Sequence, residues 1–167
     1  MKFGDGVEQA IHCVVMLASL TPGGALPAAA LADYHGVSPS YLLKHLQALS
    51  AAGILAAVSG PAGGYRLARP AAKIRILDIV LAIEGREPAF RCAEIRGRGP
   101  DPLPGPPAAP CEINALMLRA ERAWRAELSA TTVAMIVADV EAHDGDGRIS
   151  ARRCAFLDRH ERRPATP

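Results

Sequence analysis

Residues 38–70 read SPSYLLKHLQALSAAGILAAVSGPAGGYRLARP, a capped helix that runs into two short strands around a tip of glycine and proline. Ser38 is a good N-cap, and Pro39 stands at the first helical position, where a missing N–H costs nothing. Ser40 and Tyr41 then open the helix, and Lys44, His45 and Gln47 follow on its first turns as expected groove-facing positions. Strands are expected at Leu55–Val58 and Gly64–Leu67, with SGPAGG between them supplying residues tolerant of turn geometry. Upstream, Pro27 to Tyr34 predicts a short helix, and Gly36 makes the turn into the capped one. The combination is a winged helix-turn-helix, an architecture that reads DNA. From Gly36 to Leu77 there are five basic residues (Lys44, Arg66, Arg69, Lys73, Arg75) and no acidic one, although the whole chain carries a formal charge of only +2. Charge is concentrated where phosphates would lie. The candidate DNA-contacting residues are Ser38, Ser40, Tyr41, Lys44, Gln47, Gly63, Gly64 and Arg66.

Working outward, Val7, Ile11, Val14, Val15 and Ala18 recur at helical spacing and predict a first helix over Glu8–Leu20, ended by Thr21, Pro22, Gly23 and Gly24. ILDIVLAI, Ile76 to Ile83, predicts a helix that closes the domain and stops at Gly85. With half of its 167 residues hydrophobic, the chain can bury one modest core, expected over residues 1–84, and a second large domain would not fit. The expected fold class is mainly α with a small β-hairpin wing, extended by a long dimerisation helix. The one apolar run near the start follows Glu8 and carries His12, which argues against a signal peptide, and no segment approaches the ~20 apolar residues of a membrane span. A cytoplasmic location without membrane contact is expected.

Residues 85–111 change character. The stretch from Arg86 to Pro110 holds seven prolines and three glycines, so a loop bracketed by Cys92 and Cys111 is expected there. From Glu112 to Val140 no glycine or proline interrupts 29 residues, and Ile113, Met117, Ala120, Trp124, Leu128, Thr131, Met135 and Ala138 advance by three or four. One long helix over 112–140 would leave an apolar stripe uncovered, and a second copy of the chain is the expected partner. Residues 141–167 are expected as a solvated, partly ordered tail. The stretch DGDGRIS resembles a calcium loop, but with Gly147 at the glycine position the first and last ligand positions fall on Ala142 and Arg153.

Four cysteines at irregular spacing (Cys13, Cys92, Cys111, Cys154) make no disulfide framework, which leaves metal binding, redox sensing and plain burial open. Glu8 and His12 are four apart on the first helix, so both project from one face and could bind one ion or form a solvated pair. Thiolates suit iron–sulfur clusters or zinc, yet the nineteen-residue separation of Cys92 and Cys111 matches neither a zinc knuckle nor a ferredoxin run. Cys13, beside His12, points about 100° around the helix and is expected in the core.

SPSYLLKHLQALSAAGIL, followed by GPAGGYRLARP and ILDIVLAIEG, resembles the bacterial Rrf-two family of winged-helix regulators over about residues 1 to 140. The resemblance implies that recognition helix and wing read DNA, that the long helix makes a homodimer, and that a cysteine loop before it holds an iron–sulfur cluster in sensor members. Those members carry three loop cysteines where this chain has two. FRCAEIRGRGP is closer to the redox-sensing, RsrR-like branch, whose cluster is completed by a Glu and a His of the first helix. Carried over, the resemblance makes Glu8, His12, Cys92 and Cys111 the ligands of a two-iron two-sulfur (2Fe-2S) cluster, with Glu8 and His12 facing the cysteines of the other chain. The expected function is that of a DNA-binding transcriptional regulator, a repressor of a pseudo-palindromic operator, switched by cluster redox state. A cluster-free repressor sensing through thiols or a small ligand is the alternative. A metalloenzyme on Glu8 and His12 lacks a third ligand at zinc-site spacing, a nucleophile motif and a phosphate loop.

Overall fold

The computed structural model describes residues 3–60, 63–101, 105, 107 and 109–163. Pro61 and Ala62 of the wing tip, residues 102–104, 106 and 108 of the cysteine loop, and 164–167 of the tail lie outside the described residues. The helices are α1 (Asp5–Leu17), α2 (Ala28–His35), α3 (Pro39–Ala51), α4 (Ile76–Glu84), α5 (Glu112–Ala130), α6 (Val133–His143) and α7 (Arg148–His160), and the strands are β1 (Leu55–Val58) and β2 (Gly64–Leu67).

The core forms because the apolar periodicity of four helices converges. Leu42, Leu46 and Leu49 recur along α3 and are fully buried against Val14 and Leu17 of α1, Leu31 of α2, and Ile79 and Val80 of α4. Each such side chain contributes roughly 1.5–3 kcal/mol of transfer free energy. Cys13 lies within the cluster, as expected, and burial pushes its thiol up to about 12. The turn between α2 and α3 rests on Gly36, whose φ of 65° is the left-handed conformation a helix C-cap requires. β1 and β2 pair antiparallel with Leu55 opposite Leu67 and Val58 opposite Gly64, and Leu26 bridges to Tyr65 on the other edge of β2.

Two expectations for the second half are corrected. The single helix over 112–140 is two helices, because Thr131 and Thr132 leave helical geometry to pair with the chain before α4. Thr131 O accepts from Ile76 N (2.9 Å), Val133 N donates to Ile74 O (2.9 Å), and the Thr132 hydroxyl caps α6 by accepting from Met135 N (3.3 Å). The stripe is also divided: Trp124 and Leu128 pack on the chain's own core, whereas Ile113 (65% exposed), Leu116 (55%) and Met117 stay uncovered.

The tail is not solvated chain but a docked helix. Phe156 and Leu157 of α7 are buried, Phe156 packs edge-on to Tyr34 of α2 (centroids 4.7 Å), and His160 stacks on Phe156. The calcium-like stretch starts this helix: Asp144 accepts from Ser150 N (2.7 Å) and Ile149 N (2.9 Å), and hydrogen bonding with Ser150 first, then with Ile149, holds its carboxyl below the usual range.

Candidate functional site

The recognition helix presents two faces. Opposite its buried leucines, Ser40, Tyr41, Lys44 and Gln47 are exposed, with Ser38 at the N-cap position. The Ser38 hydroxyl lies 3.2 Å from that of Ser40 and makes no capping bond to the helix backbone. His45 does not face the groove. It turns inward against Gly6 of α1, where any Cβ would collide with the ring, and packs edge-on to Tyr41 at 4.6 Å. Burial, then Lys44, lowers its pKa.

On the wing, Arg66 is exposed on β2. Gly63 and Gly64 are half-buried and shaped by close approach: a Cβ on Gly63 would meet the carbonyls of Val58 and Gly60, and one on Gly64 the carbonyl of Leu26. Two of the five cations expected at phosphates are engaged within the fold. Arg69 pairs with Asp78 (2.9 Å), and Arg75 donates to the Ser129 hydroxyl (3.2 Å).

Glu8 and His12 lie side by side on the outer face of α1, 80% and 63% exposed, with Oε1 and Nε2 4.0 Å apart. Behind His12 stands His35 of α2 (ring centroids 5.6 Å), whose pKa is lowered to about 4 by burial and by the nearby His12 and Arg152. Cys92 is exposed and Cys111 half-buried at the N-cap of α5, and neither forms a disulfide.

The residue that organises the cysteine loop is one that sequence reasoning missed. Arg96 makes a bidentate pair with Glu94 (2.6 and 2.9 Å) and donates to Ala109 O across thirteen residues of sequence (3.1 Å). Glu94 sits in the left-handed region at φ 45°, uncommon for a residue with a side chain, with its carboxylate aimed at the guanidinium. Glu94 first, and then Cys111 and Cys92, hold the Arg96 charge above the ordinary arginine range. One guanidinium therefore clips the two ends of the loop together. Its signal in the sequence was an arginine between two cysteines in a stretch otherwise rich in proline and glycine.

A second polar clamp joins loop to helix. Buried Glu121 accepts from Ala89 N (3.3 Å), Trp124 Nε1 (3.1 Å) and Arg125 Nε (2.7 Å), while Arg125 also donates to Arg86 O (3.1 Å). Burial alone would raise this carboxyl, but those three donors hold it below the usual range. Among the described residues of one chain, no three His, Cys, Asp or Glu side chains gather into a metal-holding group. No described helix is long and apolar enough to cross a membrane.

A helix-turn-helix with its wing, joined to a helical extension, defines a winged-helix transcriptional regulator. The chain belongs to the Rrf2 family: the family's sequence model, described as an iron-dependent transcriptional regulator, matches residues 3–139. The family consists of transcriptional regulators rather than enzymes. Bacillus subtilis (strain 168) YwgB, named as an HTH-type transcriptional regulator, is 37% identical over 86 residues, 52% of this chain and 55% of YwgB. The chain thus spans about half the length of the curated relatives it matches. Among solved structures, oxidized Staphylococcus aureus CymR shares 25% identity at a TM-score of 0.63, over 82% of this chain and 96% of CymR. IscR of T. potens shares 21% at 0.66, over 86% and 91%, a likeness of fold.

Proposed function

We propose that this chain acts as a homodimeric regulator that binds a pseudo-palindromic operator and whose DNA affinity follows the redox state of a two-iron two-sulfur cluster, in the manner of the family's redox-sensing branch. Glu8 and His12 of one chain and Cys92 and Cys111 of its partner would hold it. The observation that carries this reading is that Arg96 closes the loop bracketed by Cys92 and Cys111 through Ala109 O (3.1 Å), while a Glu–His pair stands open to solvent on α1. The donor set fits: two sulfurs suit iron, an imidazole and a carboxylate complete four ligands, and Arg96 offers a counter-charge to thiolates. The group itself would supply a one-electron redox change.

The chain's own residues then do the rest. Ile113, Leu116 and Met117 form the uncovered face on which a second copy would pack, next to Cys111 at the start of the same helix. Arg96 and Glu121 hold both ends of the loop, and the α1–α3 contact at Gly6 and His45 connects the helix of Glu8 and His12 to the recognition helix. Lys44 and Arg66 meet phosphates, and Ser40, Tyr41 and Gln47 face base edges, one recognition helix per half-site.

The test is purification without oxygen, with iron and sulfide analysis and absorption spectra for the wild type, Cys92→Ala, Cys111→Ala and His12→Ala. Gel shifts with and without dithionite follow. Bound iron and sulfide, lost in the variants, and unequal DNA binding by the two redox forms are expected; equal binding by both forms would sink the redox switch. Light scattering that finds a monomer at micromolar concentration would remove the dimer. A thiol switch without a cluster, favoured by the exposure of Cys92, predicts protein without iron or sulfide whose DNA binding responds to oxidants.

A further inference from the structure

The family match ends at residue 139, and α7 with the segment that follows it lies outside that match. Beyond the packing of Phe156 and Leu157, two contacts fasten the segment to the winged domain. Glu161, whose side chain is 2% exposed, accepts from both the backbone N and the hydroxyl of Thr21 at 2.7 Å. Arg162 then pairs its backbone with Ala25 in both directions at 2.9 Å. Since Leu26 pairs in turn with Tyr65 of β2, residue 162 forms the outer edge of a small sheet whose opposite edge is β1.

This placement matters because the wing tip has no charge of its own. SGPAGG, residues 59–64, contains no ionisable side chain, and Arg66 lies further back on β2. Arg162 Nη1 donates to Gly63 O (3.3 Å), which sets an exposed guanidinium beside the wing tip. Arg163 stands beside it, part of its charge shared with Glu161 (3.2 Å). Residues 159–163 read RHERR, a cationic segment whose Arg162 is bonded to the wing and to the chain before α2.

We propose that residues 161–163 are a third DNA-contacting element, beside the recognition helix and the wing, in which Arg162 meets a backbone phosphate flanking the wing and Arg163 adds to the same positive surface. The proposal rests on the reading of the wing as a DNA-contacting element. Glu161 is the anchor. The backbone of residue 162 makes the strand pairing with Ala25, so that pairing does not depend on which side chain stands there.

The test measures binding of the full chain to a fluorescein-labelled duplex of about 30 base pairs at several salt concentrations, where each phosphate contact contributes about 0.9 to the slope of log K against log salt. Arg162→Gln keeps a hydrogen-bond donor for Gly63 but removes the charge; Arg162→Lys keeps the charge. Arg162→Gln is expected to lower the slope by about 0.9 and to weaken binding several-fold at low salt, while Arg162→Lys retains the slope, with circular dichroism unchanged in both. Arg66→Ala serves as reference. A slope preserved in Arg162→Gln but reduced in Arg66→Ala overturns the arm alone. Equal losses in Gln and Lys variants overturn it in favour of a buttress for the wing. Unchanged slopes in both Arg162→Gln and Arg66→Ala remove the arm and the wing reading together.

Discussion

The winged domain and the cysteine loop are held by different physics. In the former, α3 buries three leucines and the surrounding helices supply Val14, Leu17, Ile79 and Val80, so its geometry follows from apolar area removed from water. From Gly85 to Ala120 no described residue is buried, and the loop is positioned by polar clamps centred on Arg96 and on Glu121 with Arg125. A hydrophobic core resists rearrangement, whereas a few exchangeable hydrogen bonds can be re-formed elsewhere at little net cost. The winged domain is thus built to keep its shape, and the cysteine loop to change it.

Substitutions can break that contrast or sharpen it. Leu46→Ala leaves a cavity in the core and is expected to destabilise the chain by about 2–5 kcal/mol, read by urea denaturation, with loss of DNA binding. Glu121→Gln leaves Arg125 without its charge partner and should cost about 1–3 kcal/mol, with faster amide exchange confined to residues 86–90. Acid should mimic it. The fold holds this carboxyl below its ordinary value of 4.5, so the unfolded chain takes up the proton first; the stabilisation is present above that pH and fades as pH falls through the folded value. Faster exchange across α3 on acidification, rather than at the loop, would erase the contrast.

Lys44→Ala and Arg66→Ala should leave stability within about 0.5 kcal/mol of wild type, while each lowers the salt slope of DNA binding by about one. The smallest effect on folding is expected at His12→Ala. Its side chain is exposed and its contact with Glu8 is long, so unfolding should shift by less than about 0.5 kcal/mol even as bound iron is lost. A large destabilisation of the iron-free variant would recast His12 as a structural residue through its contact with His35.

The winged domain was legible because its signals are local. Apolar periodicity gave α1 to within a few residues, the glycines gave the turn and the wing, and the strands Leu55–Val58 and Gly64–Leu67 fall where alternation and turn residues put them. What escaped depends on partners distant in sequence. His45 reads like its polar neighbours on α3, and only the absence of a side chain on Gly6, 39 residues earlier, lets it turn inward. Thr131 continues the count by three or four, yet its carbonyl accepts from Ile76 N, and Val133 N donates to Ile74 O. α7 is amphipathic, with Phe156 and Leu157 on its buried face, but what they and Glu161 dock against, Tyr34 and Thr21 among them, lies more than a hundred residues earlier. Of the candidate site, the exposed Glu8–His12 pair was readable from its four-residue spacing; the Arg96 clip was not, since it closes a loop without regular structure.

The break at Thr131 and Thr132 also gives α5 a fulcrum. The helix is pinned at one end by hydrogen bonds to the strand-like segment before α4 and carries Cys111 at the other. Trp124 and Leu128 hold its second half on the core, so the free arm is the nine residues from Glu112 to Ala120, about 14 Å at 1.5 Å each, and a swing of roughly 20° carries Cys111 through about 5 Å. A displacement of that size at the cysteine end would bear first on Glu121, Trp124 and Arg125, where α5 packs on α4, a helix that packs in turn on the recognition helix.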